Sequence, residues 1–310
     1  MRAAWALRES VRNAHTNAFR WLAGEGDGLP GVVADYYAGY VVLVTSSDAL
    51  DSIVPWVVEG LGEVTSLRGV LRRRRHREGD QVEMIAGRAP PRELVVEEHG
   101  ARFLADLASG QKTGLFLDQR ENRRFVSTLA AGRRMLNLFS YSGGFSVHAA
   151  LAGATGVTSV DSAEPAMVDA RRNFELNGLD PDMHHFEVAD GYEFLTSARA
   201  RGQSFDLVVC DPPSLAHKKQ QLEAAARAYR RLFTLTLAVT KPGAYAALSS
   251  CTAQVGPELF RELVADAAAR AGAELQIIHE AGQPIDHPVF AQHPEGRYLK
   301  FLVGRKVARR

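Results

Sequence analysis

The chain has 310 residues, 46% of them hydrophobic and 24% charged, with a formal net charge of +1. That length suits two soluble domains, and the near-neutral balance provides no global field for a polyanionic partner. Two cysteines, Cys210 and Cys251, exclude a disulfide framework and a zinc-ligand spacing, and no apolar run approaches the ~18 residues of a membrane span. No metal site and no membrane contact are therefore expected, and two free thiols suit a reducing cytoplasm.

The N-terminus, MRAAWALRESVRNA, is too polar for a signal peptide and reads as a short amphipathic helix over 1–14. From Asn17 to Ser46 the chain holds two or three short strands, punctuated by Gly26, Gly28, Pro30, Gly31 and Gly39. Asp48 is an N-cap candidate for a helix to about Glu59, which Pro55 disturbs. Strands over 69–75 and 82–86 complete a small α+β domain, residues 1–90. Arg72, Arg73, Arg74, Arg75 and Arg77 cluster there behind Arg68, and a second basic group, from Arg297 to Arg310, closes the chain. Each cluster reads either as a solvated face or as a phosphate or RNA contact.

Ala89-Pro90-Pro91 marks a boundary. LVVEEHGARFLADL follows as a hairpin turning at Glu98-His99-Gly100, so residues 91–118 read as a hairpin linker. The remainder, 119–310, alternates strictly. Strands at 135–139, 157–161, 184–188, 205–210, 244–249 and 273–279 interleave with helices at 144–152, 165–177, 191–201, 220–239 and 257–271. That pattern predicts an α/β fold, a doubly wound and mostly parallel sheet with helices on both faces. The last run, FLVGRKV, can add a seventh strand, with antiparallel pairing allowed.

In such sheets ligands collect beyond the carboxyl ends of the strands. Those ends are Asn137–Tyr141, Asp161, Asp190-Gly191, Asp211-Pro212-Pro213 and Ser250-Cys251-Thr252. The first loop, NLFSYSGG, lacks the GxGxxG spacing of a dinucleotide site. Gly143 and Gly144 still permit close approach of a ligand to the backbone. Asp161 can accept both hydroxyls of a ribose, and Asp190 an adenine amino hydrogen. S-adenosylmethionine fits these groups at least as well as NAD. The plainer readings are that Asp161 and Asp190 cap the helices after them and that Cys251 is a small buried hydrophobe. Pro212 and Pro213 stiffen their loop, and Asp211 could then hydrogen-bond a base edge. His184-His185 lacks a carboxylate or thiol at ligand spacing and reads as ordinary strand.

Six ordered segments, GEGDGLPGVVAD, EEHG, GLFLDQRENRR, LNLFSYSGGFSVHAA, FDLVVCDPPSLAHKK and DHPVFAQHPEGRYLK, resemble the RlmI-type family of class I S-adenosylmethionine-dependent methyltransferases. The resemblance runs from about residue 15 to the C-terminus. It implies a Rossmann-like methyltransferase domain and methylation of cytosine C5 in large-subunit (23S) ribosomal RNA. Cys251 would then be the nucleophile adding to cytosine C6, with Asp211 steadying N3 and the exocyclic amine. Cofactor contacts are expected from Asp118, Arg120, Asn137, Phe139, Ser140, Tyr141, Gly143, Asp161, Ser162, Asp190, Gly191 and Asp211. RNA contacts are expected from Arg72, Arg73, Arg74, Arg75, Arg77, Pro212 and Pro213. His287-Pro288 and Tyr298–Lys300 also match family positions, though a turn and strand burial explain them as well.

Two departures stand out. Most of the family carries an N-terminal PUA module, and this chain begins after the point where that module would end, so the module was either removed or is absent from this member. The family usually has an aromatic shortly after Asp-Pro-Pro, where Ser214 and Leu215 stand here. Stacking on a base would fall to Phe116 or Tyr141. Ser214 also leaves no second thiol for a two-cysteine mechanism, and Cys210 reads as a core thiol. Methylation of an rRNA guanine or a small molecule without covalent catalysis, and a non-catalytic RNA-binding protein, remain as other readings. The small first domain is expected to position RNA, and family precedent allows a homodimer.

Overall fold

The computed structural model of the chain describes residues 1–76, 79–108, 115–216 and 218–308, excepting the side chains of residues 75, 76, 79 and 80. The chain divides into two compact units, residues 1–120 with 283–296 and residues 121–282 with 297–310.

The first unit begins with α1 (Arg2–Leu7) and the strands β1 (Ala18–Ala23), β2 (Val32–Tyr37) and β3 (Tyr40–Thr45). β2 and β3 join through Ala38-Gly39, both at positive φ (46° and 97°), the geometry of a two-residue hairpin whose twist matches its strands. A 3-10 turn over Asp48–Ile53 leads into α2 (Val54–Gly62), with Pro55 in its first turn, where its missing N–H costs nothing. β4 (Gly69–His76) and β5 (Gly79–Gly87) complete a five-stranded sheet in the order β1-β2-β3-β4-β5. Only the β3–β4 pair, bridged by α2, is parallel. Its core gathers Phe19, Trp21, Leu22, Val41, Leu43, Val57 and Leu61, each large side chain contributing roughly 1.5–3 kcal/mol through burial. α1 ends before residue 14 because Arg8 turns inward. Its guanidinium donates two hydrogen bonds of 2.6 Å to Asp27 and is fully buried.

The hairpin of β6 (Leu94–Glu98) and β7 (Ala101–Ala105) belongs to this unit rather than standing apart as a linker. Asn17 N–H donates to Glu97 O (3.0 Å) and Gly100 N–H to His15 O (2.8 Å). Residues 283–296 join it too, although their position in the sequence placed them with the second domain. The reason is Asp286, which accepts a bidentate pair from Arg120 (2.7 and 2.9 Å) and the Arg20 N–H (3.0 Å).

The second unit follows the predicted alternation closely. After α3 (Arg120–Ser127) come β8 (Arg134–Leu138), α4 (Gly144–Leu151), β9 (Gly156–Asp161), α5 (Glu164–Leu176), β10 (His185–Val188) and α6 (Gly191–Ala200). The chain continues with β11 (Phe205–Cys210), α7 (Leu222–Val239), β12 (Thr240–Ser250), α8 (Pro257–Arg270), β13 (Ala273–Ala281) and β14 (Lys300–Ala308). The sheet order is β10-β9-β8-β11-β12-β14-β13, with β14 antiparallel to both of its neighbours. Strand order reverses between β8 and β11. That switch point opens a crevice at their carboxyl ends and brings the loops after β8, β9, β11 and β12 to one edge.

Candidate active site

The loop after β8 is unusual in its backbone. Phe139 and Tyr141 lie at φ +57° and +48° without being glycines, a cost of order 1–3 kcal/mol each that the surroundings must hold in place. They are held by three hydrogen bonds: Ser140 N–H to Val160 O (3.0 Å), Tyr141 N–H to Asp161 Oδ2 (2.9 Å) and Gly143 N–H to Ser140 O (2.9 Å). Gly143, at φ +81°, then starts α4. A methyl there would meet Ala170 Cβ at 3.2 Å.

Asp161, half-buried, also accepts the Ala163 N–H (3.0 Å), so its carboxylate is oriented from two sides. Ser162 beside it is exposed. Asp190 caps α6 through the Tyr192 and Glu193 N–H groups (2.8 and 3.1 Å on Oδ1) and is exposed. Gly191 packs under the Phe139 ring, where an added Cβ would lie 2.7 Å from Cζ. Asn137 is buried and donates to Ser146 Oγ (2.9 Å), while its Oδ1 and the Ser142 Oγ are buried without a partner. Two orphaned oxygens, two oriented carboxylates and a glycine-lined turn fit a cationic sulfonium amino acid linked to a ribose and adenine. Asn137, Phe139, Ser140, Tyr141, Gly143, Asp161, Ser162, Asp190 and Gly191 are thus drawn from three successive strand ends.

Asp118 and Arg120 belong to the first unit. Asp118 sits in a 3-10 turn of the first unit. Arg120 has no exposed surface and is committed to Asp286. Its cofactor role gives way to a structural one.

The opposite wall comes from β11, β12 and β14. Cys251 is half-buried, with Sγ 3.9 Å from the Pro212 carbonyl oxygen. Thr252 ties the two loops together. Its Oγ1 accepts the Leu215 N–H (3.0 Å) and lies 2.7 Å from the Tyr229 hydroxyl and 3.3 Å from Ser214 Oγ. Ser250 Oγ donates to the same Tyr229 oxygen (3.0 Å). Burial pushes the Tyr229 hydroxyl up to about 12, and the negative charges of Cys251 and Asp211 add to the shift. Cys251 and Asp211 therefore act on the same hydroxyl. Asp211 is half-buried, Pro212 buried and Pro213 exposed. Cys210 is fully buried, and burial pushes its thiol up to about 12, which leaves it protonated and inert. Tyr229 gave no signal in the sequence beyond helical apolar spacing. Lys300, whose Nζ donates to Thr252 O (2.6 Å) and Tyr298 O (2.7 Å), looked like an ordinary strand residue.

Two arginines of β4 turn inward. Arg72 and Arg73 are each 3% exposed. Arg72 donates to Thr45 Oγ1 (2.9 Å) and to Asp51, and Arg73 to Leu107 O (3.3 Å). Arg74 bonds Asp51 (2.9 Å) and Glu83 (3.2 Å). Burial turns Arg72 and Arg73 from expected RNA contacts into supports of the first unit's sheet, while Arg74 stays partly exposed beside Asp51 and Glu83. The Arg75 side chain and all of Arg77 lie outside the described residues. Among the described residues no group of His, Cys, Asp and Glu could hold a metal ion, and no helix is long and apolar enough to cross a membrane.

The sequence profile of the S-adenosylmethionine-dependent methyltransferase family matches residues 62–300. The chain belongs to this family. The RlmI-type resemblance is matched by relatives as well. Ribosomal RNA large subunit methyltransferase I of Erwinia tasmaniensis is 37% identical over 308 residues, covering 97% of this chain and 76% of that protein. Its counterpart from Cronobacter sakazakii is 38% identical, covering 92% and 73%. Among solved structures, a protein described as a SAM-dependent methyltransferase from Streptococcus mutans superposes with a TM-score of 0.88 at 25% identity, covering 98% of this chain and 79% of that one. A methyltransferase structure complexed with SAH reaches 0.89 at 26% identity, with the same coverage. This methyltransferase takes S-adenosylmethionine as its cofactor.

Proposed function

We propose that this methyltransferase methylates C5 of a cytosine in large-subunit ribosomal RNA, with Cys251 as covalent nucleophile. The observation that carries the reading is the meeting of Cys251 with the Asp211-Pro212 loop at a Sγ–O distance of 3.9 Å. The names of the relatives supply the RNA. Such a substrate places the enzyme in the cytoplasm.

Cytosine C5 is not nucleophilic by itself. The Cys251 thiolate adds to C6, and Asp211 holds N3 and the exocyclic amine as N3 takes a proton. C5 becomes enamine-like. S-adenosylmethionine, held by Asn137, the 139–143 loop, Asp161 and Asp190, supplies the electrophilic methyl. A base then removes the C5 proton, and the Cys251 thiolate is eliminated. Ser214, hydrogen-bonded to Ala216 O (3.0 Å), contributes no second thiol. The first unit would help place the RNA, using surfaces other than Arg72 and Arg73.

The test is RNA carrying 5-fluorocytosine at the target, which should trap a covalent complex that Cys251→Ala cannot form. Nucleoside mass spectrometry of treated RNA should show 5-methylcytidine. Appearance of 7-methylguanosine, or full transfer by Cys251→Ala, would overturn the reading.

A further inference from the structure

Lys300 opens β14 in register with Ser250 of β12, the residue before Cys251. It is 5% exposed. Its Nζ donates to the carbonyls of Thr252 and Tyr298 at 2.6 and 2.7 Å. An ammonium has three N–H donors, so these carbonyls leave one for another partner. A buried ammonium is costly without an opposite charge, and among the described residues no carboxylate pairs with this one. Burial pushes Lys300 down to about 8. The charge that opposes this shift is the thiolate of Cys251.

We propose that Lys300 is the counter-cation of the Cys251 thiolate, a positioning residue clamped to the backbone after the nucleophile that holds the thiol in its reactive form. The proposal rests on reading Cys251 as the nucleophile. The coupling is reciprocal: a thiolate that favours the ammonium is favoured by it to the same degree. Among the described residues, Asp211 and Tyr229 share the environment. Asp211, on the loop after β11, acts on the same Tyr229 hydroxyl as Cys251 does. Tyr229, on α7, is held neutral with its hydroxyl at about 12.

The test measures the rate of Cys251 carbamidomethylation by iodoacetamide against pH, by peptide mass spectrometry, on the full chain with S-adenosylmethionine bound. Lys300→Gln retains amide donors for the carbonyls but carries no charge. Its alkylation midpoint should rise by about one unit or more, with alkylation about tenfold slower at pH 7. The kcat should fall with cofactor affinity unchanged, and Lys300→Arg should recover part of both. A folded, cofactor-binding Lys300→Gln with the wild-type alkylation profile would overturn the proposal. If Lys300→Gln does not fold, carbon-13 NMR of the Lys300 Cε decides. The titration of Lys300 should move to lower pH in Cys251→Ala than in the wild type, and identical titrations would overturn the proposal. Alkylation and NMR read the Lys300–Cys251 coupling alone. Failure of the 5-fluorocytosine trap with the alkylation shift intact would count against Cys251 as the attacking group and leave the coupling in place.

Discussion

The Cys251 thiol at the end of β12 and the Pro212 carbonyl after β11 lie 3.9 Å apart, and what keeps them together is a side chain that does no chemistry. Thr252 Oγ1 bonds the Leu215 N–H and the Tyr229 hydroxyl, at 3.0 and 2.7 Å, and the residue is fully buried. The geometry of the proposed nucleophile therefore depends on one hydroxyl that spans two loops and a helix.

Thr252→Val keeps the shape and removes that hydroxyl. The Leu215 N–H loses its partner, and Tyr229 loses one of two, at a cost of about 1–3 kcal/mol. Methyl transfer should fall at least tenfold while calorimetric S-adenosylmethionine affinity stays within twofold, because the groups proposed to hold the cofactor lie on β8, β9 and the start of α6. Wild-type turnover in this variant would show that the loops keep their register without it.

Gly191→Ala should act on the other half of the site. The added Cβ would stand 2.7 Å from Phe139 Cζ, so the ring must move. Phe139 has little room to adjust, being in the left-handed region with Ser140 and Tyr141, the next two residues, both hydrogen-bonded. Overpacking of this kind costs about 1–3 kcal/mol. Titration calorimetry should show cofactor affinity weakened about tenfold or more, and an unchanged affinity would mean that Phe139 does not shape the cofactor site.

The sheet of the second unit was legible because its signal is local: apolar runs, helix formers and glycine breaks alternate, and the acids fall at strand ends. Asp161, Asp190 and Asp211 therefore stood out, as did Cys251. What escaped were residues whose roles depend on pairing across the sequence. Lys300 meets Thr252 only because β14 inserts antiparallel beside β12, and no periodicity reports that. Arg72 and Arg74 looked like a basic patch because Asp51 and Glu83, which bind them, lie 21 and 9 residues away. Asp286 is separated from Arg120 by 166 residues, so 283–296 could not be assigned to the first unit from its neighbours in the chain.

Arg72→Met separates the two readings of that basic run. A buried, hydrogen-bonded guanidinium lost from β4 should lower stability by about 1–3 kcal/mol in urea unfolding. The salt dependence of RNA binding should keep its slope, since that slope counts phosphates neutralised by the protein. A slope reduced by about one, with stability unchanged, would return Arg72 to the RNA interface.

The Arg120–Asp286 pair should make stability depend on pH in the acid range. Burial alone would raise the Asp286 carboxyl; His287 beside it, at 3.3 Å, and the bidentate Arg120 hold it far below the usual range. The His287 Nδ1 lacks hydrogen-bond alignment, so the Arg120 pair is the firmer cause. In the unfolded chain an aspartate titrates near ~3.9. A carboxyl lowered by folding stabilises fully above that value, and the contribution is lost as pH falls towards the folded one. Wild-type stability should therefore drop steeply below about pH 4. Asp286→Asn leaves Arg120 buried without its counter-charge, which costs about 3–5 kcal/mol at neutral pH, and its stability should decline less steeply in acid. Amide hydrogen exchange should localise the loss to 283–296 and to β1, whose Arg20 N–H bonds the same carboxylate (3.0 Å). Wild-type and Asp286→Asn stability curves that run parallel from pH 7 to pH 3 would show that the pair is not what the acid range titrates.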